Sequence, residues 1–189
     1  PEDETIGFID GVHPTHNVQP AYGWIKTGVR KEIPANTGRA RLNLSGMIDV
    51  IQHKVVIQED ETLNADSTIR FIKKIEDAYP TKRKIHIFCD NARYYKNKTV
   101  KQYLEKSRVQ LHFLPPYSPN LNPIERLWKW MKERVIYNTY YEYFEEFKIA
   151  VMGFFTLLPK LSPTSVLGME LRSRIRDRFT PIGAPCVNF

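Results

Sequence analysis

The chain has 189 residues, 42% of them hydrophobic and 26% charged, which fits one folded domain with a sizeable core, or a domain plus an appendage, and excludes a disordered chain. No apolar run approaches the ~20 residues that span a bilayer, no signal-peptide pattern opens the chain, and two cysteines, Cys89 and Cys186, are too few for a disulfide framework. The net charge of +7 favours a polyanionic partner, nucleic acid before an acidic membrane surface, with plain solubility as the blander account.

The first residue is Pro1 and an apolar strand pattern starts almost at once, so the chain is expected to be a fragment of a longer one. Residues 5–11 form a short buried strand ending at Asp10, and 12–20 a loop. Residues 22–26 are a further short strand anchored by Trp24, and 30–39 are polar and turn-rich. Strands follow over 41–50 and 54–58, and the short polar break between them predicts a hairpin. Over 64–79 the apolar spacing turns helical through Ile69, Ile72 and Ile75, with Asn64 or Asp66 as cap and Pro80 as stop. Residues 85–89 are an apolar strand ending at Asp90. A helix over 98–107 carries Val100, Tyr103 and Leu104 on one side, and 110–114 is a strand again. The loop after it is stiffened by Pro115, Pro116 and Pro119, which fix φ and remove donors. It opens a helix from Pro123 to about Ile136, with Asn122 as N-cap and Ile124, Leu127, Trp128, Met131 and Val135 as buried stripe. A last helix runs over 141–158 on Phe144, Phe147, Val151 and Phe155, and Pro159 ends it. Strands alternating with helices after an antiparallel start predict an α/β mixed sheet flanked by helices.

Two apolar strands share one design. Phe8 and Ile9 lead to Asp10, and Ile87, Phe88 and Cys89 lead to Asp90. If these strands are neighbours the carboxylates converge, and Glu125, three residues past the Asn122 cap, need only come from a helix packed over that edge. Three carboxylates without matching cations repel one another and raise their pKa values. Divalent hard cations relieve that repulsion, and two of them about 4 Å apart can activate an attacking oxygen and stabilise a leaving one. Each residue also has a plain structural account. Asp10 could make a strand-end turn, Asp90 and Asn91 an Asx turn, and Glu125 the return bond of a capping box.

The motifs carry a resemblance. Phe8-Ile9-Asp10, then Cys89-Asp90-Asn91-Ala92-Arg93-Tyr94-Tyr95, then the long run from Leu114-Pro115-Pro116-Tyr117-Ser118-Pro119 through Asn122-Pro123-Ile124-Glu125-Arg126-Leu127-Trp128 resemble the catalytic domain of bacterial insertion-sequence transposases of the mariner superfamily. The similarity runs from about Ile6 to about Phe155, and the 34 residues between Asp90 and Glu125 suit the family's spacing. It implies a ribonuclease H-like catalytic domain over 1–160, a basic tail over 161–189, and no N-terminal helix-turn-helix region in this chain. It further implies that Asp10, Asp90 and Glu125 hold two Mg²⁺ ions, with Mn²⁺ as a substitute. Water would cut a phosphodiester at the transposon end, and the freed 3′ hydroxyl would attack target DNA. The implied partners are DNA and a second copy on paired ends, in the cytoplasm of a bacterium, with no membrane. Two departures stand out. Many relatives have Glu after the first Asp, where this chain has Gly11, and many have His a few residues after the Asp-Asn-Ala block, where it has Tyr94 and Tyr95. The rival readings are a related nuclease that does not join strands, and a non-catalytic DNA-binding descendant.

Arg39, Arg41, Arg93, Lys96, Lys129 and Lys132 are the expected DNA contacts, each also explicable as a surface cation. Lys129 could instead form an i,i+4 pair with Glu125. His13 and His16, three apart, lack the further ligands of a zinc site and belong to a loop. Tyr94 and Tyr95 could stack on bases, though aromatic residues at such a place are more often core.

Overall fold

Five strands pair in the order β3-β2-β1-β4-β5 in the computed structural model, which describes residues 3–21, 26–30, 32–36, 39–116 and 121–158. The strands are β1 (Glu4–Val12), β2 (Asn43–Asp49), β3 (Val55–Asp60), β4 (Lys84–Cys89) and β5 (Val109–Phe113). β1, β2 and β3 pair antiparallel, with β2 and β3 as the expected hairpin, whereas β4 pairs parallel to both β1 and β5. The helices are α1 (Ala65–Ala78), α2 (Lys98–Leu104), α3 (Ile124–Met131) and α4 (Phe144–Leu157). The strand expected over 22–26 falls largely outside the described residues. Pro159, Cys186 and the basic tail through Arg172–Arg178 lie outside them altogether.

Chain contacts divide the molecule into two units. Residues 1–14 and 41–128 form the first. Its core lies between the sheet and α1: Phe71, Ile72 and Ile75 cover Ile9, Met47, Val56, Ile85 and Ile87. Each fully buried side chain of this kind contributes about 1.5–3 kcal/mol relative to leaving it in water. α1 begins where expected. The Asn64 side chain accepts from the Ser67 backbone N–H at 2.9 Å, and Ser67 Oγ accepts from the Asn64 N–H at 2.8 Å, a reciprocal cap. At its far end the Arg108 guanidinium donates to the carbonyls of Glu76, Tyr79 and Lys82, which satisfies acceptors that a helix end leaves open.

The last helix starts at Phe144 rather than 141, and three further boundaries differ from expectation. β1 does not end at Asp10 but runs to Val12, because its antiparallel ladder with β2 continues to Val12↔Leu44 after the parallel ladder with β4 has stopped at Phe8↔Phe88. α2 stops at Leu104 rather than 107. Ser107 Oγ and the Arg108 N–H both fold back to the Glu76 carboxylate at 2.9 Å, which turns the chain into β5. The helix from Pro123 is α-helical only through Met131, and Lys132–Ile136 follows as a π-helical turn closed by the Tyr137 N–H on the Lys132 carbonyl at 2.8 Å.

The second unit comprises residues 15–40 and those from 129 on. Phe147, Val151 and Phe155 form the buried stripe of α4 as expected, while Phe144 is half-buried. The His16 ring is buried against Phe144 and Phe147, with Nε2 2.9 Å from the Tyr141 carbonyl. Asn138, at φ 58°, accepts from the Ala21 N–H through its side chain and donates its own N–H to the Gln19 carbonyl.

Candidate functional site

β1 and β4 pair with a constant offset of 80, from Glu4 beside Lys84 to Phe8 beside Phe88. That ladder stops at Phe8 and Phe88, and two residues further along each chain Asp10, still within β1, and Asp90, just past β4, follow toward the same end of these neighbouring strands. Asp10 is half-buried within β1, and Asp90 is exposed just past β4. The Asx turn is present: Asp90 Oδ1 accepts the Ala92 N–H at 3.1 Å. Glu125 is exposed in the first turn of α3. No return bond runs from its carboxylate to Asn122 among the described residues, so the capping-box account of Glu125 fails. The helix start is set instead by Asn122, whose side chain accepts from the Ile124 N–H at 3.3 Å.

Two bonds lock α3 to the strand that carries Asp10. The buried Asn122 amide donates to the carbonyl of Ile9 at 3.1 Å, and the Trp128 indole N–H donates to Asp10 Oδ2 at 3.1 Å. Glu125 sits between these two residues on the helix. The close approach depends on Gly46, which pairs with Asp10 across β1 and β2. A Cβ at Gly46 would lie 2.4 Å from Trp128 Cη2 and 3.0 Å from Ile124 Cδ1. Sequence reading placed Trp128 in an apolar stripe and Asn122 at a cap, but missed their bonds to β1 and missed Gly46. The available signal was a glycine inside a strand, which often marks close approach of another group.

The Asp10 carboxyl is pushed up to about 7. Burial is the largest cause, followed by the negative charge of Glu125, with Asp90 adding to it; hydrogen bonds from the Gly11 N–H and Trp128 pull the other way. Asp10 therefore feels the charge of both other carboxylates. The three do not close on a common point: among the described residues no three His, Cys, Asp or Glu side chains form a ready-made metal group. The donor set nonetheless fits a hard divalent cation, since all three groups offer carboxylate oxygens and the crowding of negative charge on Asp10 is what such a cation would relieve.

The loop beyond Asp90 is braced. Asn91 Nδ2 donates to the Leu114 carbonyl at 2.8 Å, and Lys96 Nζ donates to Asn91 Oδ1 at 2.6 Å while lying 5.1 Å from the Phe113 ring centroid. This ties the end of β4 to the start of the proline-rich loop, whose residues 117–120 lie outside the described set. Among the expected DNA contacts, Arg39, Arg41 and Arg93 are exposed, Lys132 is half-buried in the π turn, and Lys129 pairs with Glu133 at 3.6 Å rather than with Glu125. His13 Nδ1 lies 2.7 Å from Asn43 Oδ1, and His16 is buried, so both serve as loop anchors. Tyr95 is core; Tyr94 is half-buried in the turn over 93–96, ahead of α2.

The model of the DDE superfamily endonucleases matches residues 5–148, and the chain belongs to that family. No curated protein sequence matches it. Among solved structures, the catalytic domain of Mos1 mariner transposase is similar with a TM-score of 0.60 at 15% identity, covering 92% of this chain and 79% of that one. The Mos1 strand transfer complex is similar at 0.62 and 17% identity, covering 93% and 52%. The catalytic core of HTLV-2 integrase in complex with magnesium is similar at 0.54 and 13% identity, covering 84% and 86%. At these identities the likeness is one of fold, and it establishes the ribonuclease H-like architecture expected from the sequence. The chain spans about half the length of the Mos1 chains in their DNA complexes.

Proposed function

We propose that this DDE-family domain is the catalytic part of a transposase, which cuts DNA at transposon ends and transfers the freed 3′ ends to target DNA. Asp10, Asp90 and Glu125 are its catalytic carboxylates and hold two Mg²⁺ ions, for which Mn²⁺ can substitute. The observation that supports this reading is the parallel pairing of β1 with β4, which leads toward Asp10 and Asp90 at the same end of neighbouring strands, together with the charge of Glu125 felt at Asp10. When bound, the cations supply charge that activates the attacking oxygen and stabilises the leaving one. The chain's own residues position and orient. β1 and β4 present Asp10 and Asp90 from adjacent backbones, and α3 presents Glu125 from a start fixed by Asn122. Trp128 holds one Asp10 oxygen, so the carboxylate keeps one orientation while its charge state changes.

The exposed Arg39, Arg41 and Arg93 contact DNA phosphates, and Lys96, Lys129 and Lys132 do so where their internal bonds yield. Two copies act on paired ends, in the cytoplasm of a bacterium and on its nucleoid. The Mos1 paired-end complexes, solved with Mn in one case and Mg in another, support the metal and pairing parts of this reading. No helix among the described residues is long and apolar enough to cross a membrane. The test is cleavage of a cognate transposon end in Mg²⁺. Asp90→Asn and Glu125→Gln each abolish it while leaving the circular dichroism spectrum unchanged; cutting by both variants at the parent rate refutes the assignment.

A further inference from the structure

Many cations of the first unit are already engaged. Arg70 pairs with Asp60, Arg83 with Asp3, and Lys54 and Lys74 donate to the carbonyls of Ala78 and Ile57. Arg93, Lys98 and Lys101 differ. All three are exposed, and among the described residues none of their charged groups has a partner. They begin at the carboxylate end of the sheet. β4 runs from Lys84 to Cys89 and on to Asp90, the turn over 93–96 carries Arg93, and Lys98 is the first residue of α2. Val100 is buried and Tyr103 and Leu104 are half-buried, so α2 seats its apolar side on the molecule and turns Lys98 and Lys101 outward. Two features of this arrangement oppose helix stability. Lys98 sets a cation in the first turn, where the positive end of the helix dipole disfavours it, and no acid stands in that turn to offset it. Lys98 and Lys101 are also neighbours on the helix surface, where like charges repel. Glu105, one turn beyond, makes no ion pair with Lys101 among the described residues. On the neighbouring α1, Lys73 Nζ lies 5.6 Å from the Tyr103 ring centroid and extends the positive surface.

We propose that the outer face of α2 is a docking track for the phosphate backbone of the duplex being cut, with Lys98 and Lys101 as its contacts and Arg93 as the link to the carboxylate site. The chemistry of the surface names the partner. Ammonium groups without partners take phosphate oxygens and release condensed counterions, which adds affinity without sequence preference. Phosphates beside Lys98 and Lys101 also relieve the repulsion between them, so a local conflict in the free protein is compensated when DNA is bound. A duplex whose scissile phosphate lies by Asp90 has to leave the site on some side, and the unpartnered cations mark that side. The phosphate contacts proposed above stop at Lys96 on this part of the chain; the track carries the duplex onward along a second element.

The inference rests on the carboxylate site being where the duplex is cut, and the test reads binding apart from chemistry. The Kd of the full-length protein for a duplex spanning the cut position is measured by fluorescence anisotropy in EDTA, over KCl concentrations from about 50 to about 200 mM. Lys98→Gln and Lys101→Gln each reduce the steepness of log K against log salt by about 0.9 and weaken binding about fivefold near the upper end of that range, and the double variant reduces the steepness by about 1.8. Lys84→Gln makes the same charge change at the far end of β4 and leaves the slope as in the parent. The thermal midpoint of Lys98→Gln is no lower than that of the parent, because a cation leaves the first turn of a helix, so lost binding is not lost folding. A parent-like slope in the double variant, or an equal drop in Lys84→Gln, overturns the inference and leaves the lysines as a solvated face. If Glu125→Gln still cuts, the carboxylate assignment has failed whatever the slopes. If Glu125→Gln is dead and the slopes are parent-like, only the track on α2 falls.

Discussion

The Trp128 indole N–H donates to Oδ2 of Asp10 at 3.1 Å across 118 residues of chain, directly over the glycine that pairs with Asp10. This bond couples the orientation of a strand carboxylate to the seating of the helix that carries Glu125. Trp128→Phe keeps most of the packing and removes the donor. Because the indole favours the ionised carboxylate, its loss raises the Asp10 pKa further. The acid limb of the pH–rate profile for DNA cleavage then moves to higher pH, which a rate series from pH 5 to 9 measures.

Gly46→Ala places a methyl carbon where Trp128 Cη2 and Cζ2 stand 2.4 and 2.7 Å away. The indole is held by its bond to Asp10 and cannot simply swing aside. Overpacking of this kind costs about 1–3 kcal/mol. A urea titration should show a lower midpoint with unchanged slope, and cleavage should fall along with it.

Asp10 also sets a pH dependence of folding. Its folded value, about 7, lies above the ordinary 3.8. Between those values the folded chain keeps a proton that the unfolded chain has released, so Asp10 lowers stability as pH rises through that window. Asp10→Asn, whose amide oxygen can still accept from Trp128, removes the effect. It should be more stable than the parent at pH 8 by on the order of 4 kcal/mol, with the difference vanishing near pH 4. Thermal unfolding at the two pH values checks this, and an equal difference at both contradicts it.

Asn122→Ala removes the donor to the Ile9 carbonyl and the acceptor for the Ile124 N–H. Leaving a buried carbonyl unpaired costs about 1–3 kcal/mol. The same change frees the start of α3, so cleavage should fall by more than the stability loss alone explains. Comparison with a distant core variant of matched stability separates the two effects.

Much of this site is legible in the sequence because strand chemistry is local. Apolar runs closing on Asp10 and Asp90, a proline-framed loop and an Asn-Pro helix start all follow from neighbours in the chain. What is not legible is what crosses the sheet. Gly46 acquires its role only through the register that sets it opposite Asp10, and Trp128 shows its ring in the apolar stripe but not the partner of its N–H. The true end of β1 was hidden for the same reason: its two ladders stop at different residues, Phe8 toward β4 and Val12 toward β2. The π turn after Met131 has no local signal, since its residues suit an α-helix equally well.

The central claim is that Asp10, Asp90 and Glu125 together hold divalent metal. Anomalous diffraction from crystals of the protein with transposon-end DNA and saturating Mn²⁺ tests it most directly. The account predicts Mn²⁺ peaks with oxygens of all three carboxylates at about 2.1 Å, close to the spacing of a tightly held hard cation, and loss of those peaks in Asp90→Asn. Density that leaves the space between these side chains empty, with Mn²⁺ bound elsewhere or nowhere, contradicts it.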